Sequence, residues 1–291
     1  MTLEGTNSYL VFGGGREAIA IDPGPPDAAH CDALIAAAAK RGAAIAAIAV
    51  THGHPDHAPG AAILHAKTGA PVYAHALATF PHDRTAGEGE RIAAGDAEIG
   101  VLDAPGHARD HLVFTLPDGA GLFTGDVVIG RGTVVIAPPN GDMRAYQATL
   151  ARLRDAFGGS AAIYGGHGDT MTDVRGKLDE YIAHRAKRED EILASLRDGE
   201  RTIPELVEHI YRNVAPLLWP AAARQVLAYL IALEREGRVR ARTLEREPTR
   251  TEAEMLNPDL SKIVDPESAA IAAAELGYDR RVETIEGYAL A

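Results

Sequence analysis

The chain has 291 residues, 46% of them apolar and 24% charged, the balance of an ordinary globular protein with length enough for one large domain or two smaller ones. Its net charge of −12 gives no long-range attraction to nucleic acid, and no run nears the roughly 18–20 unbroken apolar residues of a membrane span. Cys31 is the single cysteine, which excludes an internal disulfide framework and fits a reducing cytoplasm; no signal peptide is expected either.

Residues 6–12 and 17–21 read as two strands joined by a hairpin at Gly13-Gly14-Gly15, after which Asp22-Pro23-Gly24-Pro25-Pro26 breaks the sheet. An Ala-rich helix is predicted over 27–41, ended by Gly42. Ile45 to Val50 is a short apolar run, as in a strand buried on both faces, and it leads directly into Thr51-His52-Gly53-His54-Pro55-Asp56-His57. A helix over 60–67 and a strand over 71–75 follow. Strand-rich sequence continues to about 136, and within it 113–116 and 122–124 flank a Pro117-Asp118-Gly119 turn, a hairpin signal. A helix near 142–156 and a strand at 161–164 lead to Gly165-Gly166-His167-Gly168. This alternation predicts a mixed sheet covered by helices.

From about 175 the pattern turns helical. Leu178, Tyr181, Ile182, Ile192, Leu193 and Leu196 form the stripe of a long charged helix closed by Gly199. Thr202-Ile203-Pro204-Glu205 is a capping box that opens a second helix, and a third at 220–236 buries Val226, Leu227, Leu230 and Leu233. Val239 to Leu244 then alternates with arginines like an edge strand. Helix, helix and strand in this order predict a winged-helix-like domain at 186–246. The acidic stretch 247–291 reads as an extension with one amphipathic patch at 266–276.

The chemistry is carried by His-x-His-x-Asp-His on the loop after the buried strand. Imidazoles two residues apart on an extended loop converge on one ion, and the carboxylate and imidazole that follow turn to a second. Further candidates sit at loop positions flanked by glycine: His107, Asp126 and His167. The metal-ligand candidates are therefore His52, His54, Asp56, His57, His107, Asp126 and His167, and the metal expected is zinc, with iron or manganese as alternatives. A water shared by two cations loses its proton near neutral pH and becomes a hydroxide nucleophile. Asp56 is the catalytic candidate, orienting that nucleophile and shuttling its proton. Thr51 and Asp103 are candidates for holding the far nitrogens of metal-binding imidazoles. His111 reads as a residue hydrogen-bonded within the sheet, and His30, His65, His75, His82, His184 and His209 as residues outside the site.

These residues resemble the metallo-β-lactamase superfamily, whose αββα sandwich holds one or two metal ions between its sheets. The resemblance covers about 1–185, read as the catalytic domain. It implies that His52, His54 and His107 hold a first ion, that Asp56, His57 and His167 hold a second, and that Asp126 bridges them. The chain also resembles the narrower β-lactamase-like protein 2 group in Gly5-Thr6-Asn7-Ser8-Tyr9, Pro105-Gly106-His107-Ala108-Arg109-Asp110-His111 and Thr124-Gly125-Asp126-Val127-Val128. On that resemblance Asn7 looks into the cleft. The family usually has a strand ahead of the Gly-Thr-Asn segment, so a shortened N-terminus is an expectation, and the tail beyond 247 departs from the common pattern.

Members of that branch include endoribonucleases acting on single-stranded RNA, so an RNA substrate is one expectation, with Arg238, Arg240 and Arg242 along the wing to hold it. The alternative is a small-molecule acyl hydrolase: a glyoxalase II-like thioesterase, a lactonase or a weak β-lactamase. A third reading makes the winged helix a DNA- or protein-binding module through Arg224 and Gln225, or a packing surface for a homodimer. No membrane partner is expected.

Overall fold

The structure, a computed structural model, describes residues 5–260, 269, 273, 278 and 284–291. The chain forms two compact units, residues 1–134 with 148–181 and residues 135–147 with 182–291.

In the first unit β1 (Tyr9–Phe12) and β2 (Glu17–Ile21) form the expected antiparallel hairpin. The carboxylate of Asp27 caps the backbone of Ala29 and His30 to start α1 (Ala28–Lys40). Next come β3 (Ala44–Ala49), α2 (Gly60–Thr68), β4 (Val72–Ala74) and β5 (Arg84–Thr85). This sheet has the order β1-β2-β3-β4-β5, parallel from β2 onward. The second sheet holds β6 (Arg91–Ala94), β7 (Ala97–Asp103), β8 (Leu112–Thr115), β9 (Leu122–Gly125) and β10 (Ile163–Gly165). Its order is β10-β9-β8-β7-β6, antiparallel except that β10 runs parallel to β9.

Two cores hold this unit. Ile19, Ile21, Ile92, Ile99, Val101, Leu112, Phe114 and Phe123 come from both sheets and form one apolar layer between them. Cys31, Leu34 and Ala38 of α1 and Leu64 of α2 pack with Ile45, Ile48 and Val72 on the outer face of the first sheet. On the other side α3 (Met143–Phe157) buries Leu150 and Leu153, and Thr149 binds the Pro105 carbonyl. The result is the helix–sheet–sheet–helix sandwich anticipated from the sequence.

Strand register decides where chemistry is possible. Ile21 pairs with Ala49 at the end of two parallel strands, and Gly125 pairs with Gly165 at the end of two more. The loops that follow all four therefore leave at strand C-termini, and the Leu112 N–H donates to the Thr51 carbonyl, tying the two sheets together there. One expectation fails: no strand continues to 136, because after Gly125 residues 126–142 form a loop. Val127, Val128 and Ile129 are apolar enough to imitate a strand, but they are buried as loop. The Tyr181 hydroxyl supplies the acceptor for the Ile129 N–H that a ladder would otherwise provide.

The second unit contains most of α4 (Val174–Arg197), then β11 (Arg201–Thr202), α5 (Ile203–Ile210), α6 (Trp219–Arg235), β12 (Val239–Thr243), α7 (Arg250–Leu256) and β13 (Glu286–Leu290). Thr202 and Glu205 make the predicted capping box of α5. By length and composition Pro216–Arg235 passes as a membrane span. Arg224 and Gln225 interrupt it, however, and Ala222, Val226, Leu230 and Leu233 are buried inside the unit, as in a core helix. β12 is an edge strand, as expected, but its partner was not foreseen: the order is β11-β13-β12, so the middle strand comes from the tail. Tyr288, buried, stands opposite both Arg201 and Ala241. The amphipathic patch at 266–276 lies outside the described residues apart from Ala269 and Ala273.

Candidate metal centre

The loops at the strand ends bring all seven predicted residues together. Their nitrogen and carboxylate donors form three overlapping groups, with the atoms of each within 4.8 Å of one another: His52, His54 and His107; His52, His57 and Asp126; Asp56, His57 and His167. The first and third are the two sets implied by the family resemblance. Between them Asp126 points Oδ2 toward His107 Nε2 at 3.7 Å and Oδ1 toward His57 Nε2 at 3.5 Å and His167 Nε2 at 3.4 Å. His107 Nε2 lies 3.0 Å from His54 Nδ1, and His167 Nε2 lies 3.2 Å from Asp56 Oδ2.

The cluster rests on a residue that the sequence reading passed over as a turn former. Asp22 is buried with a φ of 48°, and its carboxylate accepts from Thr51 N at 2.7 Å, Thr51 Oγ1 at 2.7 Å and His57 Nδ1 at 2.8 Å. Thr51 Oγ1 in turn sits 3.0 Å from His52 Nδ1, so one carboxylate orients two imidazoles. The signal that reveals Asp22 is positional: it directly follows β2, beside the strand β3 that leads into Thr51-His52. His111 does more than bond within the sheet. Its Nε2 accepts from the Asp126 N–H at 3.1 Å, and its ring stacks on His52 with centroids 4.5 Å apart. Gly166 is glycine for want of room, because a Cβ there would meet Asp126 Oδ1 and the His57 ring, each at 2.6 Å.

Burial and neighbouring imidazoles push His52 well below its ordinary value; burial and His107 push His54 down to about 3. Both rings are therefore neutral and keep a lone pair to donate. Burial works against charge on His57 and His167 too, but there carboxylates outweigh it. Asp126 and Asp22 hold His57 well above its ordinary value, and Asp126 and Asp56 raise His167 to about 10. Burial likewise opposes charge on Asp56 and Asp126, and the facing imidazoles still hold both below the usual carboxylate range. Positive charge is what this half of the cluster favours. His52 Nε2, His57 Nε2 and Asp126 Oδ1 are also buried without a hydrogen-bond partner, a cost of about 1–3 kcal/mol for each such atom. Orphaned donors, neutral imidazoles and charged carboxylates together fit divalent cations, for which nitrogen and carboxylate oxygen are ordinary ligands.

Other candidates take different places. Asp103 does not reach a metal-ligand candidate; it stands 3.8 Å from His75 Nε2. Asn7 clamps the 165–168 turn through Gly165 O and Gly168 O. His30 meets Ser8, His65 meets the Ala70 carbonyl and His82 the Phe80 carbonyl. His184 and His209 belong to the second unit. There Arg238 pairs with Glu189 and Glu236, and Arg242 pairs with Glu200. Arg224 donates to the Pro138 carbonyl and lies over Tyr278, and buried Gln225 accepts from Ile136 N and Arg185.

Known proteins are similar to this chain in sequence and in fold. The model of the metallo-beta-lactamase superfamily matches residues 1–167, and that of the beta-lactamase associated winged helix domain matches 202–246. A beta-lactamase-like protein 2 homolog of Drosophila melanogaster is 31% identical, with 82% of this chain and 86% of that protein covered. An atrochrysone carboxyl ACP thioesterase of Aspergillus chevalieri is 32% identical over 73% of this chain and 70% of its own length. Among solved structures, a metallo-beta-lactamase family protein from Thermus thermophilus superposes with a TM-score of 0.68 at 25% identity, covering 81% of this chain and 91% of that one. The family model spans more than half of the sequence and reaches every residue of the cluster, so the chain belongs to the metallo-beta-lactamase superfamily and is a hydrolase of that fold.

Proposed function

We propose that this hydrolase works with two divalent cations, zinc being the simplest choice, and that it cleaves a small acyl substrate through a thioester, lactone or lactam bond. The observation that carries the two-ion reading is the convergence of His52 Nε2, His57 Nε2 and Asp126 Oδ1, buried and without hydrogen-bond partners, inside overlapping donor sets. His52, His54 and His107 would hold one ion and Asp56, His57 and His167 the other, with Asp126, placed between the two sets, available to both. When bound, the pair supplies Lewis acidity that lowers the pKa of water and offsets charge developing on the oxygen of the bond being cut. The chain's own part is to keep donors oriented and a proton path open. Asp22 and Thr51 hold the His52 and His57 rings in place. Asp56 engages Thr6 and His167 through Oδ2, which leaves Oδ1 to orient the attacking water and pass its proton to the leaving group.

The acyl reading is supported by the thioesterase relative and by the second unit, where Arg238 and Arg242 face glutamates and Gln225 is buried. A cytoplasmic setting belongs to the same reading, with Cys31 buried and its thiol pushed up by that burial. Cleavage of single-stranded RNA is the second reading, favoured by the relatives named beta-lactamase-like protein 2 homologs, one of which covers 82% of the chain. A panel of acyl thioesters, lactones, a cephalosporin-type lactam and single-stranded RNA, offered to zinc-reconstituted protein at low salt, separates the two. Turnover of an acyl substrate, abolished by a chelator, is the expected result. RNA cleavage that weakens steeply with salt, without acyl turnover, would replace the first reading by the second.

A further inference from the structure

The segment Gly5–Tyr9 contributes no side chain to the donor sets, yet two of its five residues bond to Asp56 and His167 and two more to the turn that carries His167. Gly5 O accepts from His167 Nδ1 at 2.9 Å, and Thr6 Oγ1 donates to Asp56 Oδ2 at 3.0 Å. Asn7 N donates to Gly166 O at 2.7 Å, its Nδ2 to Gly165 O at 3.1 Å and Gly168 O at 2.8 Å, and Tyr9 OH to Gly165 O at 2.7 Å. Ser8 turns away to the Asp22 carbonyl and His30. The hydrogen bonds just given for the other four fall on Asp56, His167 or the turn that carries His167, while Tyr9, in β1, also pairs with Ile21 and packs its ring on Phe123 and Tyr164. The φ of Gly5 is 124°, a conformation suited to glycine, and it aims the Gly5 carbonyl at His167.

Within this strap Thr6 has a distinct task. The turn around His167 is held by four hydrogen bonds from Asn7 and Tyr9, so its shape does not depend on Thr6. Asp56 lies on the opposite loop with a side chain 25% exposed, and a carboxylate turns easily about its last bond. The Thr6 hydroxyl on Oδ2 selects one orientation, the one in which Asp56 faces His57 and His167. We infer that Thr6 is a positioning residue that sets the affinity of the Asp56–His57–His167 site for its cation and leaves the His52–His54–His107 site alone. The inference rests on the two-ion reading above.

The test uses the full-length metal-free protein titrated with zinc against a chromophoric chelator, with cobalt(II) absorption as a second readout of the ligand environment. Thr6→Val keeps the shape and removes the donor; Thr6→Ser keeps the donor. Thr6→Val is expected to weaken one of two binding steps about 10–100-fold, the usual effect of losing a partner behind a metal ligand, and to leave the other step unchanged. Thr6→Ser should restore the wild-type isotherm and cobalt spectrum, and all three metal-free proteins should melt together. Wild-type affinity at both steps in Thr6→Val would overturn the inference. So would equal weakening of both steps that Thr6→Ser fails to rescue, or a metal-free Thr6→Val that no longer folds, because the strap would then support the fold and not Asp56. A single binding step in the wild type would instead overturn the two-ion reading, and the inference with it.

Discussion

Replacing Asp22 by asparagine probes the scaffold beneath the cluster. Asparagine fits the same space and accepts the φ of 48°, but it offers one acceptor oxygen where the carboxylate offers two. With that oxygen on the Thr51 N–H, the amide nitrogen faces the His57 Nδ1–H, donor against donor, and the Thr51 hydroxyl must turn from donating to accepting. Removing the charged partner of a buried ion pair costs about 3–5 kcal/mol, and His57 and Asp22 are such a pair. Against a total stability of roughly 5–15 kcal/mol, Asp22→Asn should fold but unfold at clearly lower urea concentration. The His57 ring loses the bond that points its Nε2 at the site, and Thr51 loses its anchor beside His52, so both binding steps for zinc should weaken, about 10–100-fold each. Urea unfolding of the metal-free protein and zinc competition measure the two effects separately. An unchanged midpoint together with unchanged zinc affinity would refute the argument that one carboxylate orients two ligands.

Gly166→Ala should cost about 1–3 kcal/mol by overpacking and reduce bound metal, because the new methyl would stand 2.6 Å from Asp126 Oδ1; full metal content in this variant would contradict the packing described. His184 is held at about 4, against an ordinary 6.5, by burial and by the charges of Arg185 and Arg188. A depressed histidine contributes its stability above pH 6.5 and loses it as pH falls toward 4, since the unfolded chain takes up a proton that the folded chain refuses. The stability advantage of wild type over His184→Gln should shrink through that window, and a flat difference would remove the assigned cause. Glutamine at Arg238, Arg240 and Arg242 together should leave acyl hydrolysis and melting nearly unchanged, because the Arg238 and Arg242 ends of the pairs with Glu189, Glu236 and Glu200 are exposed and the more buried Glu189 keeps Arg144. Loss of acyl turnover in that triple variant would assign the strand a role that the present reading denies it.

The seven residues of the candidate cluster were legible because their signal is local: three histidines and an aspartate within six positions, and three more ligand candidates beside glycines. Asp22 was not, since its role exists only once β2 and β3 lie parallel in register and their ends meet. Thr6 and Gly5 were visible as part of a resemblance, but their contacts to Asp56 and His167 span 50 and 162 positions. The fold of the first unit followed from strand and helix periodicity, except after Gly125, where buried loop valines and an isoleucine mimic a strand. β13 was missed for a related reason. Five residues more than 40 positions from β12 give no periodic signal, and the Tyr288 side chain finds its burial only in the assembled sheet. Gln225 looked available on a recognition helix until α6 was seen to bury it.

If two cations are held among these seven residues, hydrolysis depends on them. Elemental analysis of reconstituted protein, paired with acyl turnover before and after chelation, measures both. About two equivalents of zinc, iron or manganese per chain are expected, more than one tetrahedral site takes, with activity lost to the chelator and restored by metal. No more than a trace of metal after reconstitution, or turnover indifferent to chelation, would contradict the two-ion reading.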